Sequence, residues 1–431
     1  MVLRRPSGVA VALWILFGAA TPGLTQSSVE ELAVRLESAD VGIRRDAARE
    51  LGEDGSAEAI AVLAGAVSDA DREVRRVVLD ALLAVRRPDA LQGLIAFLGD
   101  EREDHRRDAL GGLVDIYNRE APPGRRERAM DWLLRREQDF VLDPLRPVEP
   151  RVFEALAGSL QDEEAGIREL AAEALGALRA APQVGPLGAA AADDPEDDVR
   201  REAVRALGAI GTDDAGARLL AMVNDEELRE EVVRALGRFA YRPAAAALIQ
   251  AYDADPESDE ARYALEALAR IGADEARGTF YHELGSDDPR RREFAAEGIG
   301  RIGDPALLGG MIRDFLREED RRVQLAFCFA LVRLGQPAFV DRLILSLTDS
   351  RLGDVAWQYA LELGREFLPE LLRYLEDPDR RVRLELISLL ERLGDPEAIP
   401  ALRVTSEGPD SEVADRARLA VRRLSQSGAR P

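Results

Sequence analysis

The chain has 431 residues, of which 46% are hydrophobic, 32% charged and only 5% aromatic, and its formal charge is −23. An apolar fraction dominated by Ala and Leu excludes wholesale disorder and argues for close-packed helices over a β-sandwich, while the acidic field repels nucleic acid and anionic lipid headgroups. All 58 basic residues are arginines, which excludes a Schiff-base lysine, a phosphate-loop lysine and a lysine general base, and the one cysteine, Cys328, leaves no internal disulfide.

At the N-terminus, Arg4 and Arg5 precede an apolar run over 9–20 and a small, polar stretch over 21–28. That order predicts an export signal over residues 1–26, cut after Ala20 or retained as a membrane anchor. The run is shorter than the roughly 20 residues that span a bilayer comfortably. The mature chain is therefore expected in the periplasm or outside the cell, touching a membrane only if the segment is uncleaved.

From Ser38 onward the sequence repeats. Leu51, Leu82, Leu113, Leu175, Leu207, Leu236, Leu268, Ile299, Leu331, Leu361, Leu390 and Val421 follow one another at 29–32 residues, with one interval of 62 between Leu113 and Leu175. A period held this long marks a stacked array, in which each unit buries its face against its neighbours. Residues 377–402 illustrate one unit. Asp377-Pro378-Asp379 opens a first helix, Val382, Leu386, Leu389, Leu390 and Leu393 form its apolar stripe, and Gly394 ends it; Asp395-Pro396 then opens a second helix through Ala398, Ile399 and Leu402. The expected fold is all-α, a right-handed α-solenoid of about twelve helix pairs, with the second helices lining its concave side. Repeats are expected over 27–117 and 151–425, with a disordered tail at 426–431. The intervening 118–150 carries Arg119, Arg125, Arg126 and Arg128, a predicted helix over 130–136 with Trp132, and a proline-punctuated stretch over 140–150. It reads either as a degenerate repeat or as an inserted loop.

The phrases Asp377-Pro378-Asp379-Arg380-Arg381-Val382-Arg383 and Leu393-Gly394-Asp395-Pro396-Glu397-Ala398-Ile399-Pro400-Ala401-Leu402 resemble the short HEAT-like repeat of cyanobacterial bilin (phycocyanobilin) lyases, and Arg301-Ile302-Gly303-Asp304-Pro305 matches the same pattern. The resemblance implies the solenoid fold, but such repeats serve many tasks. The function expected is therefore an exported, non-catalytic scaffold or adaptor that binds a protein partner on its concave surface. The alternatives are a bilin-lyase-like or cofactor-handling protein and a membrane-anchored assembly factor.

Little in the sequence suggests chemistry. Two histidines and one cysteine cannot build a zinc site from its preferred ligands, and neither a metal nor another cofactor is expected. His282-Glu283 is one copy of the His-Glu pair that HEAT-repeat deoxyhypusine hydroxylases use several times, too few for that centre. The glycines, recurring near helix ends, read as caps. Arg44, Arg75, Arg106, Arg168, Arg200, Arg229 and Arg383 stand seven residues before the closing apolar residue of their units. They read as a structural ladder bridging to acidic caps and carbonyls of the adjoining unit, a role that the resemblance also implies. Residues that a repeat does not need are the candidates for partner binding: Tyr252, Phe280, Tyr281, His282 and Tyr374, with Phe339, Trp357 and Tyr359 beside them.

Overall fold

In a computed structural model the described residues are 28–117 and 147–427, and every regular element among them is helical. The export signal, the arginine cluster with Trp132, and most of the tail lie outside these residues. No helix among the described residues is long and apolar enough to cross a membrane. The chain falls into two compact units, Met1–Glu101 and Arg102–Pro431.

In the first unit, helix Val29–Leu36 opens on a reciprocal cap, with the Ser28 hydroxyl accepting from the Glu31 amide and the Glu31 carboxylate accepting from that of Ser28. First helices Val41–Asp54 and Arg72–Val85 start on Asp40 and Asp71, whose carboxylates accept from otherwise unpaired backbone amides. Second helices Ala57–Gly65 and Leu91–Phe97 pack against them, burying Leu51, Leu63, Leu79, Leu82, Leu94 and Phe97.

The second unit continues this plan from Glu103–Asp115 to Ser411–Ser427. Successive first helices pack side by side, as Asp197–Ile210 does on Ala165–Ala177 and Pro289–Ile302 on Arg321–Arg333. The second helices open through single 3-10 turns such as Pro305–Leu307 and Pro396–Ala398, capped by Asp304 and Asp395. Ten of the twelve closing positions are wholly buried. At the other two, Leu361 and Val421 are half-buried and the neighbouring Ala360 and Ala420 take the buried place, so the register of those units shifts by one residue.

Capping accounts for only some of the glycines. Gly211 and Gly394 end their helices at φ 64° and 70°, a left-handed conformation that a side chain resists. A second set lies inside first helices, one residue after the closing leucine, and allows the next helix to approach. A Cβ on Gly208 would lie 2.8 Å from that of Ala235, and one on Gly237 2.6 Å from that of Ala267.

Across the interval of 62 the helices that flank it still stack. Glu103–Asp115 packs directly on Ala165–Ala177 as the preceding first helix, and Pro150–Ser159 packs on Ala165–Ala177 in the place of a second helix. The rest of the segment read as a degenerate repeat or an inserted loop, 118–146, lies outside the described residues.

Candidate protein-binding cleft and the arginine ladder

Arg44, Arg75, Arg168 and Arg383 share one geometry, set by their place on the first turns of the first helices. Arg44 donates Nε and Nη2 to the two carboxylate oxygens of Asp69 at 2.7 and 2.9 Å, and Nη1 to the Ser38 carbonyl at 2.8 Å. Arg75 reaches Asp100 and the Asp69 carbonyl at 2.8 and 2.9 Å. Arg168 binds both oxygens of Asp194 at 2.8 and 2.9 Å and the Asp162 carbonyl at 3.0 Å. Arg383 reaches Asp410 at 3.0 Å and the Asp377 carbonyl. Each guanidinium thus ties the loop before its own helix to the loop after its own unit. Hydrogen bonds to Arg44 and Arg168 help hold Asp69 and Asp194 below the usual carboxylate range, although burial opposes the charge.

Arg106 keeps the same geometry across the longer interval, with Nε 2.8 Å from Asp162. Arg200 pairs with Asp197 and Glu227, and Arg229 makes only longer contacts, 3.3 Å to the Val223 carbonyl and 3.6 Å to Glu260. One rung escaped the sequence reading. Arg292 donates to both oxygens of Glu318, at 2.8 and 3.0 Å, and to the Ser286 carbonyl at 2.8 Å. Its place seven residues before Ile299 was the available signal, obscured by the run Arg290-Arg291-Arg292. In the next unit Gln324 fills the same place and donates to the Glu318 carbonyl at 2.6 Å.

The candidate binding residues on the second helices do not form one surface. Phe280 is wholly buried against Gly298, where a Cβ would meet its ring at 2.5 Å, so the fold does require it. Tyr252 is also buried and donates its hydroxyl to Glu283, which accepts from Arg291 at 2.9 Å as well. These two positions are therefore core, because apolar area and a paired phenol are more stable inside than in water. Glu283 is engaged inward in this way, and the exposed His282 stands beside it with Nδ1 3.6 Å away. No group of three or more potential metal-binding side chains occurs among the described residues. Tyr281 is exposed, and the half-buried Tyr374 donates to Asp341. Phe339 packs edge-on against Phe315, Trp357 donates to Glu385 at 3.0 Å, and Tyr359 is buried.

A concavity among the described residues lies instead on the first helices. A cleft of about 520 Å³ is lined from five successive first helices between Arg238 and Glu362. Its floor is an ion-pair network. Arg322 donates Nε to both oxygens of Glu293 at 2.7 and 2.8 Å, and Arg290 adds a bond at 3.2 Å. Arg301 binds Glu297 at 2.9 Å and both oxygens of Glu362 at 2.8 and 2.9 Å. The Tyr359 hydroxyl donates to Glu297 while its ring stacks on Phe329, with centroids 4.7 Å apart. Burial raises the Glu293 carboxyl above its ordinary range, and Arg322 offsets this only in part. Arg301 remains firmly charged despite burial, because Glu362 and Glu297 hold its proton. Residues 297 and 301 belong to a unit two before that of 359 and 362. First helices two units apart meet only on the side toward which the stack is drawn together, and over 289–363 that side carries first helices. The expectation that second helices line the concave side is corrected for this stretch.

The HEAT-repeat family profile matches residues 29–114, 184–269, 245–310 and 354–422. Deoxyhypusine hydroxylase of Gallus gallus is 38% identical over 101 residues, covering 22% of this chain and 34% of that protein, so the chain spans about a third of the length of the curated relative it matches. Among solved structures, an engineered protein is 20% identical with a TM-score of 0.37, over 92% of this chain and 98% of that one. The complex of CpcE and CpcF of phycocyanin lyase from Nostoc sp. is also 20% identical, with a TM-score of 0.31, over 65% of this chain and 97% of that one. With its repeat grammar, its stacked helix pairs and a profile matched over more than half its length, this chain belongs to the HEAT-repeat family and is a helical repeat scaffold.

Proposed function

We propose that this protein is an exported, non-catalytic scaffold that holds a partner protein in the first-helix cleft between Arg238 and Glu362. The observation that carries the reading is the composition of that cleft, which brings arginines together with Tyr263 over an ion-paired floor. Arginine and tyrosine dominate binding hot spots because they offer large contact area with directional hydrogen bonds. Glu293, Glu297 and Glu362 are each engaged by a guanidinium, which suits a recognition surface better than a proton-transfer pair. Export rests on the N-terminal pattern of Arg4, Arg5 and the apolar run after them.

Site-directed photocrosslinking tests the location. A photoreactive residue at the exposed position 358, inside the cleft, should capture a discrete partner from native envelope extract, and capture should weaken in Arg270→Ala. The same probe at Tyr281, on a second helix, should not capture it. The opposite pattern moves the interface to the second helices. Mass spectrometry of the mature N-terminus tests export. One or more tightly held transition-metal ions per chain, found by elemental analysis, would overturn the non-catalytic reading.

A further inference from the structure

We infer that the cleft takes an extended, acidic peptide segment carrying a carboxylate at about every third residue, an inference that rests on the cleft being the partner site. Hydrogen-bonding capacity points to it. Glu293 already accepts from Arg322 on both oxygens and from Arg290, and Glu297 accepts from Arg301 and Tyr359. A guanidinium has five N–H donors, and a bidentate carboxylate uses only two. The lining holds six arginines against four glutamates, so it has donors to spare and few free acceptors. The whole chain is strongly acidic, but this one concavity is cationic.

The spacing comes from the array. Arg238, Arg270 and Arg301 each follow the closing residue of their unit by two places, and Arg290 and Arg322 each precede it by nine. Two rows of guanidinium groups therefore run along the cleft at one per unit. Packed helices stand about 8–10 Å apart, and a peptide extended as polyproline II advances roughly 3.1 Å per residue with every third side chain on one face, so one unit matches about three peptide residues. Arg270 and Arg290 each spend one nitrogen on a pair within their own helix, with Glu266 at 2.8 Å and Glu293 at 3.2 Å, and keep 46% and 50% of their side-chain surface in solvent, with donors left for a ligand. Arg301 is committed to Glu297 and Glu362. The guanidinium groups of Arg234 and Arg262 stand 3.8 and 5.0 Å from the centroid of the Tyr263 ring and hold it in place at the cleft.

Fluorescence anisotropy on the full chain tests this with labelled peptides of about nine residues, in which three glutamates at every third position are separated by serine and glycine. The glutamate peptide should bind and weaken about tenfold or more between roughly 50 and 200 mM salt, since the contact is electrostatic and exposed at the rim. Its glutamine analogue, and a peptide with the three glutamates adjacent, should each bind at least about tenfold more weakly. The double variant Arg270→Gln/Arg290→Gln should lose binding by a similar factor with an unchanged circular dichroism spectrum. Absence of binding at millimolar glutamate peptide, equal binding by the double variant, or tighter binding of a lysine analogue overturns the acidic occupant; equal binding of the adjacent-glutamate peptide overturns the spacing. If peptide binding fails while position 358 still captures a partner, the chemistry is wrong and the cleft stands. If both fail, the cleft itself is wrong.

Discussion

Arg106 Nε lies 2.8 Å from Asp162 Oδ2 although 56 residues separate them, and both side chains are almost fully withdrawn from solvent. Elsewhere the same pairing spans 25 to 27 residues, as in Arg44–Asp69, Arg168–Asp194 and Arg383–Asp410. The ladder is thus maintained across the longer interval, with first helices Glu103–Asp115 and Ala165–Ala177 in direct contact.

If the array does not depend on residues 118–146, replacing them by a flexible linker of about ten residues should preserve the helical circular dichroism spectrum and shift the melting temperature by only a few degrees. Asp162→Ala in the full chain should instead cost roughly 2–4 kcal/mol, because it leaves the buried Arg106 without its carboxylate. Chemical denaturation measures both. A linker variant that unfolds while Asp162→Ala melts normally would show that the replaced segment holds the array together.

The rungs should differ in strength. Arg168 is bidentate to Asp194 and nearly buried, whereas Arg229 is a third exposed and makes only long contacts. Arg168→Ala should lower stability by roughly 2–4 kcal/mol and Arg229→Ala by less than about 1 kcal/mol. Equal melting of the two variants would remove the ladder's proposed role in stability.

Leu207 is wholly buried between neighbouring units. Leu207→Ala should cost about 2–5 kcal/mol, and because the units are stabilised by their neighbours, one part of the chain should melt before the other. Phe280→Ala should cost about 3–5 kcal/mol through loss of its contact with Gly298, while Tyr281→Ala, at the exposed neighbour, should stay within about 0.5 kcal/mol. Differential scanning calorimetry separates these outcomes.

The Glu173 carboxyl is pushed up to about 8, first by burial and then by Glu202 and Glu169, against an ordinary value of 4.5. Between these two values the folded chain keeps a proton that the unfolded chain has released, so this group lowers stability as pH rises through that window and adds no further loss above it. Glu173→Gln should therefore be more stable than the parent by roughly 1–2 kcal/mol near pH 8, after allowance for solvent screening, with the difference vanishing toward pH 4.5. Denaturant midpoints at several pH values test this, and a pH-independent difference would contradict it.

Much of the fold was legible because each rule is local and recurs. Asp379 caps, Leu390 closes and Gly394 terminates within one unit, and the same offsets return in the next. The rungs at Arg44, Arg75 and Arg168 could be found for the same reason, since the residues each needs stand at nearly constant separations. Local periodicity could not rank two buried aromatics against one exposed one at 252, 280 and 281, because exposure depends on the neighbouring unit, on Gly298 for Phe280 and on Glu283 for Tyr252. Nor could it reveal that Arg301 meets Glu362 and Tyr359 meets Glu297, at separations of 61 and 62 residues. Sequence by itself determined the repeat, its caps and its ladder, because helix periodicity and backbone satisfaction act over a few residues. Tertiary structure alone decided that first helices Glu103–Asp115 and Ala165–Ala177 meet across the interval of 62, and that an acidic chain gathers arginines into a cleft, because both depend on how stacked units bring together residues distant in the chain.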